Sequence, residues 1–297
     1  MGDLGRALVT VTNDAFVAGT LVMVQSFLTH NRWFDGEVVV IHDALSEDAL
    51  SEASRRYLSL AFDRIRFLAV GDQLRRHVDA VVRERPDLAP VQPRFWSLET
   101  FRLTEYGQVL FCDSDVLVRQ SMHELFEMPH EFIACGDGPH YLRQAIDGPG
   151  PGARFDTSRT FNTGVFLVNR SCLASPVYSD LIQATVPATF RDAHAGRTDS
   201  IVMNLCLGPR VHLAGAEFNY LLGFRAAIAA RHGVGMSKAR AWHFNTPNKP
   251  WVANQAVRGT MADAAYGVAC AAWTRSYAEC LKHLSLRNRL AAMRADA

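Results

Sequence analysis

Short apolar runs of strand length alternate with amphipathic segments along the first third of the chain. Three such runs are bounded by polar turns, at 7–11, 37–41 and 64–70. Between the first two, 17–28 repeats apolar residues at helical spacing, and a second helix is expected to begin near Ser46, a residue type that caps helices. This order of strands and helices predicts a parallel sheet with helices covering its faces.

The remainder of the chain predicts further strands and helices. Strands are expected at 108–112, 131–135, 164–168 and 239–244. Helices are expected at 94–106 and 121–126, and from about 176 and 199 onward. The segment 136–158 is rich in Gly, Pro and Asp without any period, so it predicts a long loop that closes over bound ligand as a lid.

The composition excludes several classes of protein. The 297 residues are 48% hydrophobic and carry a formal charge of +1, which excludes a disordered chain and argues against a protein that grips nucleic acid. The six scattered cysteines form no C-x-x-C pair and predict no disulfide framework. No apolar run reaches the length of a membrane span, and residues 1–6 lack the order of a signal peptide, so we expect a cytoplasmic location.

The C-terminal segment predicts a distinct helical element. Residues 266–294 have the pattern of an amphipathic, basic helix, which suggests a domain at 1–255 followed by a helical extension at 256–297. Two interpretations stay open. The apolar face either packs on the domain or on a second subunit, giving a homo-oligomer, or it makes a weak contact with an anionic membrane surface.

Two carboxylates follow directly on a predicted central strand. Asp113 and Asp115 come after the apolar run 108–112, at a sheet edge where two side chains can share a divalent cation. Oxygen ligands suit Mg²⁺ or Mn²⁺, ions that commonly join protein carboxylates to a diphosphate. A D-x-D triplet also occurs by chance, so the alternative is a solvated turn.

A histidine and a lysine follow another predicted strand. His243 lies at its end, and an imidazole can complete a carboxylate site in favour of Mn²⁺ over Ca²⁺. Lys249 offers a positive charge to a phosphate, and Pro250 stiffens the turn that carries it. Taken alone, a histidine near Trp251 is more often a packed surface residue.

These stretches, with others in the same order, resemble glycosyltransferase family 8, a retaining family that includes glycogenin and bacterial galactosyltransferases. The resembling motifs are 9–16 (VTVTNDAF), Arg94 before FWSL, 111–118 (FCDSDVLV), 161–166 (FNTGVF), 199–204 (DSIVMN) and 243–251 (HFNTPNKPW). The resemblance implies an α/β protein with the A-type glycosyltransferase fold. This fold is a single Rossmann-like nucleotide-sugar-binding domain with a mixed, mainly parallel sheet, here followed by a C-terminal helical tail.

The function that the resemblance implies is metal-dependent, retaining transfer of a hexose from a UDP-sugar to an acceptor hydroxyl, with Mn²⁺ or Mg²⁺ as the cofactor. The acceptor is expected to be a glycan, a lipid-linked molecule or a small molecule, and not a nucleic acid. The implied metal ligands are Asp113, Asp115 and His243. Donor binding is assigned to Thr10, Asn13, Phe16, Arg94, Asp113, Ser114, Asp115, Thr246 and Lys249. Catalytic contact with the transferred sugar is assigned to Asp137, Asn162, Asp199 and Ser200.

Two positions depart from the family pattern. Ser200 stands where well-known members have Gln beneath the anomeric carbon, and Thr246 stands where Gly usually lets the backbone approach the diphosphate. The first departure leaves open a protein that binds a nucleotide sugar without transferring it. A self-glycosylating primer, which needs a presented tyrosine, is a further alternative. A nucleotidyltransferase lacks support because no glycine-rich basic loop follows the first predicted strand.

Overall fold

The apolar runs of the sequence form the strands of the fold. The computed structural model describes residues 5–45, 49–144, 146–147, 154–194 and 197–295. Within these ranges the strands are β1 (Arg6–Val11), β2 (Glu37–His42), β3 (Ile65–Ala69), β4 (Gln108–Cys112), β5 (Val116–Val118), β6 (Phe132–Gly136), β7 (Ile146–Asp147), β8 (Arg154–Phe155), β9 (Phe161–Asn169), β10 (His212–Ala214), β11 (Tyr220–Leu221) and β12 (Ala241–His243).

Helices connect most of these strands. Over the same ranges the α-helices are α1 (Val17–His30), α2 (Glu52–Ala61), α3 (Asp72–Glu84), α4 (His123–Glu127), α5 (Gly138–Leu142), α6 (Arg170–Leu173), α7 (Val177–Ala184), α8 (Pro187–Phe190), α9 (Asp199–Leu207), α10 (Arg225–His232), α11 (Ala253–Ala262) and α12 (Ala264–Ala295). The described residues also form 3₁₀ segments at Asp14–Phe16, Pro86–Arg102, Ala216–Asn219 and Leu222–Phe224.

The described strands pair into a seven-stranded mixed sheet and a three-stranded sheet, with β7 and β8 as a separate hairpin. The order in the larger sheet is β10-β6-β9-β4-β1-β2-β3. The strands β1, β2, β3 and β4 run parallel, and β9 runs antiparallel to β4 and β6. The parallel sheet predicted for the first three strands is therefore confirmed.

The three-stranded sheet brings a late strand against the turn that follows β4. Its order is β11-β12-β5, and the residues between β4 and β5 are 113–115. β12 runs antiparallel to β5 with His243 opposite Val116. This pairing carries His243 to the same turn that holds Asp113 and Asp115.

Both faces of the large sheet are buried, because successive residues of a strand point to opposite sides. Val9 and Val109 pack in one core together with apolar residues of α3, α7 and α9. Their neighbours Leu8 and Leu110 pack in a second core with residues of α1 and α2. The continuous apolar runs in the sequence follow from this double burial.

The predicted helix at 94–106 is wrong in type. Most of it belongs to the 3₁₀ segment Pro86–Arg102, which contains Pro90 and Pro93. Proline lacks a backbone N–H and clashes with the turn before it, so Pro90 and Pro93 disturb α-helical bonding up to residue 93, and nothing in the structure explains the 3₁₀ bonding of 94–102.

Two further predictions differ from the structure or fall outside it. The predicted loop at 136–158 contains α5, β7 and β8, so it is irregular only in part. α2 begins at Glu52 with Ser51 as its N-cap. The predicted start at Ser46 and the glycine and proline run at 148–152 lie outside the described residues.

The C-terminal helix α12 packs along one face on the rest of the chain. Trp273 and Cys280 lie in a shared core with Val22 of α1. Near the end of the helix, Arg287 forms an ion pair with Asp63 at 2.7 Å. The predicted packing of the tail on the domain therefore holds for the buried face of α12. The predicted domain boundary at residue 255 stays a prediction.

No helix in the described ranges is both long and apolar enough to cross a membrane. The six cysteines, each within those ranges, are free thiols. The expectation that the chain has no disulfide framework is consistent with their separate, scattered positions.

We expect the Trp273→Ala substitution to lower the free energy of unfolding by about 3–5 kcal/mol, because it leaves a cavity beneath α12. Urea denaturation followed by circular dichroism measures the change. Met261→Ala is the matched control, since that side chain is 84% exposed on α11. Equal stability of the two variants would show that α12 does not contribute to the folded core.

Candidate active site

The turn between β4 and β5 is fixed by bonds to three other elements. The Asp113 N–H donates to the Gly164 carbonyl on β9 at 2.8 Å. The Ser114 hydroxyl donates to the carbonyl of Val11 at 2.8 Å and lies 2.9 Å from Thr20 Oγ1 on α1. Ser114, predicted to bind the donor, thus braces the turn against β1 and α1 with its side chain.

Asp113, Asp115 and His243 bring their ligand atoms within 4.8 Å of one another. His243 Nε2 lies 3.1 Å from Asp115 Oδ1 and 3.7 Å from Asp113 Oδ2. Asp115 and His243 are buried, whereas the Asp113 side chain is 43% exposed. Asp115 Oδ1 is buried and has no hydrogen-bond partner among the described residues. A divalent cation would satisfy such an oxygen, so the donor set fits Mn²⁺ or Mg²⁺.

Lys249 brings a positive charge to the same group. Its Nζ donates to Asp115 Oδ2 at 2.5 Å and to the Phe244 carbonyl at 2.7 Å. Although burial raises the pKa of Asp115, the charge of Lys249 holds that pKa well below its ordinary value. Burial and the neighbouring Asp115 charge raise the pKa of Asp113. Asp115 is therefore the more strongly ionised member of the pair.

Because Gly164 has no side chain, it leaves room for the side chains of Asp113 and His243. A Cβ at this position would overlap the His243 ring and Asp113 Oδ2. The glycine of the FNTGVF motif is thus needed for close approach of side chains to β9, and not for an unusual backbone angle.

Asn219, which the sequence analysis did not identify, lies behind the histidine. Its Oδ1 lies 2.9 Å from His243 Nδ1, and its Nδ2 donates to Asn162 Oδ1 at 2.8 Å. Asn219 is fully buried, and Asn162 is half-buried at the start of β9. The only signal in the sequence is a polar residue inside the apolar run 218–222.

Asp199 lies at the start of α9 and interacts with the carboxylate group. It accepts hydrogen bonds from Ser97 Oγ at 3.0 Å and Thr198 Oγ1 at 2.9 Å. Burial raises the pKa of Asp199, and the charge of the exposed Arg94 acts in the opposite direction. The charge of Asp199 contributes to the raised pKa of Asp113, which places both acids in one electrostatic site.

Three other predicted residues lie on surrounding elements. Ser200 is half-buried on α9. Asp137 is the N-cap of α5, and its Oδ1 accepts from the His140 N–H and the Thr160 hydroxyl, both at 2.8 Å. The Thr246 hydroxyl donates within its own turn, to a carbonyl at 3.3 Å. In the described part of the chain, no hydrogen bond joins these three to the Asp–Asp–His group.

The end of β1 forms the other side of the site. Thr10 is fully buried with its hydroxyl 3.2 Å from Ser114 Oγ, and its predicted contact with uridine stays a prediction. Asn13 Oδ1 is buried without a partner among the described residues. The Phe16 ring meets Trp251 edge to face at 5.3 Å between centroids. The predicted binding of uridine by Thr10, Asn13 and Phe16 is untested by these contacts and stays a prediction.

Comparisons with known proteins agree with this geometry. The sequence model described as Glycosyl transferase family 8 matches residues 7–255. Glycogenin-1 of Caenorhabditis elegans is 27% identical over 297 residues, which are 98% of this chain and 59% of that protein. Glycogenin-1 of Oryctolagus cuniculus is 25% identical over 259 residues, 83% of this chain and 65% of that protein. The chain therefore spans less than two thirds of the length of these relatives.

Solved structures establish the fold. The galactosyltransferase LgtC, in complex with donor and acceptor sugar analogues, superposes with a TM-score of 0.62 and 18% identity over 92% of this chain and 95% of that one. The glycosyltransferase GlyE of Streptococcus pneumoniae gives 0.55 and 17% identity, over 83% and 56% of the two chains. The A-type glycosyltransferase fold predicted from the sequence is confirmed. Because the family match extends over nearly the whole chain, this protein belongs to glycosyltransferase family 8.

Proposed function

We propose that this chain transfers a hexose from a UDP-sugar to an acceptor hydroxyl, with retention at the anomeric carbon and with a requirement for Mn²⁺ or Mg²⁺. Family membership supports sugar transfer. The single observation that carries the metal requirement is the convergence of Asp113, Asp115 and His243, whose ligand atoms lie within 4.8 Å of one another. A cation bound among them would satisfy Asp115 Oδ1, which is buried without a hydrogen-bond partner among the described residues.

Different residues around the turn would bind different parts of a diphosphate and its cation. Asp113, Asp115 and His243 would bind the cation, which offsets charge on the departing diphosphate. Lys249 already lies against the carboxylates, so its Nζ can donate to a phosphate oxygen with a small movement. Arg94, exposed near Asp199, would supply a second cationic contact.

The sugar would lie between α9, β9 and α5. We assign Asp199, Asn162 and Asp137 to orienting its hydroxyl groups, with Ser200 beside the anomeric carbon. Asp199 is a poor nucleophile because two hydroxyls donate to it and burial raises its pKa. Retention is therefore proposed to follow from attack by the acceptor on the face that the diphosphate leaves.

The acceptor is proposed to be a separate glycan, lipid-linked or small molecule. A self-glycosylating primer needs a tyrosine presented to solvent. Each of the seven tyrosines lies in the described ranges, and all of them are buried or half-buried. The predicted lid at 136–158 includes residues outside the described ranges, so it stays a prediction.

The test of the proposed function is release of UDP from a panel of UDP-sugars in the presence of Mn²⁺. We expect turnover that disappears in EDTA and falls at least a hundredfold in Asp115→Asn, because the neutral amide binds the cation weakly. Asp79→Asn, on the exposed face of α3, is the matched control and should retain full activity. UDP binding without release by any sugar donor would instead support a non-transferring binding protein. A mass increase of the chain itself would support the primer.

Lys249→Ala should change the affinities for metal and nucleotide in opposite directions. Removing Nζ frees Asp115 from a competing cation, so Mn²⁺ alone should bind several-fold more tightly. UDP with Mn²⁺ should bind more weakly by roughly 1.5–3 kcal/mol, the value of a hydrogen bond to a charged group. Calorimetry measures both affinities, with Lys238→Ala as an exposed control. Unchanged UDP affinity would place the phosphates away from Lys249.

Gly164→Ala should weaken Mn²⁺ binding at least tenfold, because the added methyl group displaces the His243 ring and the Asp113 carboxylate. Electron paramagnetic resonance of free Mn²⁺ gives the affinity, and circular dichroism confirms folding. Gly235→Ala is the control, since a Cβ there meets nothing within 4 Å. Equal affinity in the two variants would contradict a cation site beside β9.

A further inference from the structure

The direction of the hydrogen bonds around His243 can be assigned from one backbone group. The Gly164 N–H, which can only donate, donates to Asn162 at 2.9 Å, so the Asn162 atom that it reaches is the oxygen Oδ1. Asn219 faces that same oxygen at 2.8 Å and must therefore present its Nδ2 to it. The remaining atom of the Asn219 amide, the one that faces His243, is then Oδ1, which only accepts.

This assignment fixes the proton on the imidazole ring. Asn219 Oδ1 lies 2.9 Å from His243 Nδ1, so Nδ1 carries the proton in the neutral ring. The other nitrogen, Nε2, then has a free lone pair. It lies 3.1 Å from Asp115 Oδ1 and 3.7 Å from Asp113 Oδ2, as required for a shared ligand.

We propose that Asn219 is a positioning residue that keeps His243 in the Nδ1–H tautomer, so that Nε2 and the two aspartates can bind a divalent cation together. The inference rests on the metal requirement proposed above. Without Asn219, the charge of Asp115 would favour a proton on Nε2, which would lie where the cation binds. Asn219 opposes this outcome with an acceptor on the far side of the ring.

Burial and strand pairing fix the position of the Asn219 side chain relative to His243. Asn219 is fully buried and His243 nearly so, so bulk water does not readily replace the missing acceptor. Asn219 immediately precedes β11, which pairs with β12 so that Leu221 lies opposite His243. The bond therefore joins two neighbouring strand segments in a fixed register.

The test has a readout that needs neither metal nor activity. Long-range ¹H–¹⁵N NMR of ¹⁵N-histidine-labelled, metal-free protein reports which ring nitrogen is protonated. We expect the neutral His243 ring of the wild type to be protonated at Nδ1, and Asn219→Ala to shift a substantial population to Nε2–H. A wild-type ring protonated at Nε2 overturns the proposal, and so does an unchanged tautomer in a folded Asn219→Ala variant.

Affinity for Mn²⁺, measured by electron paramagnetic resonance, provides the second readout. Loss of such a supporting group typically costs ten- to a hundredfold in metal affinity, and we expect that loss for Asn219→Ala. An unchanged Mn²⁺ affinity in a folded Asn219→Ala variant would overturn the proposal.

A matched control separates positioning from general stability. Asn31 is also a fully buried asparagine, and it bonds to the backbone of Phe27 and Met122, away from His243. Asn31→Ala should destabilise the fold while the tautomer and the Mn²⁺ affinity stay unchanged. If the wild type binds no Mn²⁺, the proposed metal requirement fails, and the NMR result alone decides the role of Asn219.

Discussion

The repulsion between two carboxylates on one tight turn is the constraint on which the rest of the site depends. Asp113 and Asp115 lose hydration at the end of a buried strand, and each raises the energy of the other's ionised form. Lys249 offsets that cost for Asp115 by direct contact. Asp113 keeps greater exposure and the higher pKa of the two. The turn is thus poised to accept a further positive charge.

The three-stranded sheet lies beside the turn that carries the negative charges of Asp113 and Asp115. Within the large sheet β4 pairs with β1 and β9, and the strand that brings His243 to the turn after β4 belongs to the small sheet. Pairing of β12 with β5 places His243 opposite Val116, directly beside the two acids. Gly164 then allows the imidazole ring to lie against β9 without overlap. The strand topology and the lack of a side chain at Gly164 together bring Asp113, Asp115 and His243 into one group.

The sequence predicted the parts of this arrangement that depend on local pattern. Apolar runs marked β1, β2 and β4, and polar residues at strand ends marked Asp113 and His243, because strand periodicity is a local property. β5 has three residues and was missed, since no periodicity is measurable over so short a segment. Asn219 was missed because its role depends on the pairing of β11 with β12, which brings together residues far apart in sequence.

The C-terminal helix α12 supports the turn at 245–251 that carries Lys249. The Tyr266 hydroxyl donates to the Asn248 carbonyl at 3.1 Å, directly before Lys249 in the chain. On the other side of that residue, Trp251 packs between Phe16 and Trp273, with ring centroids 5.3 and 5.8 Å away. Lys249 is therefore flanked by two contacts that anchor its turn to the helix or through it. The Lys249 side chain therefore reaches Asp115 from a turn that α12 holds in place.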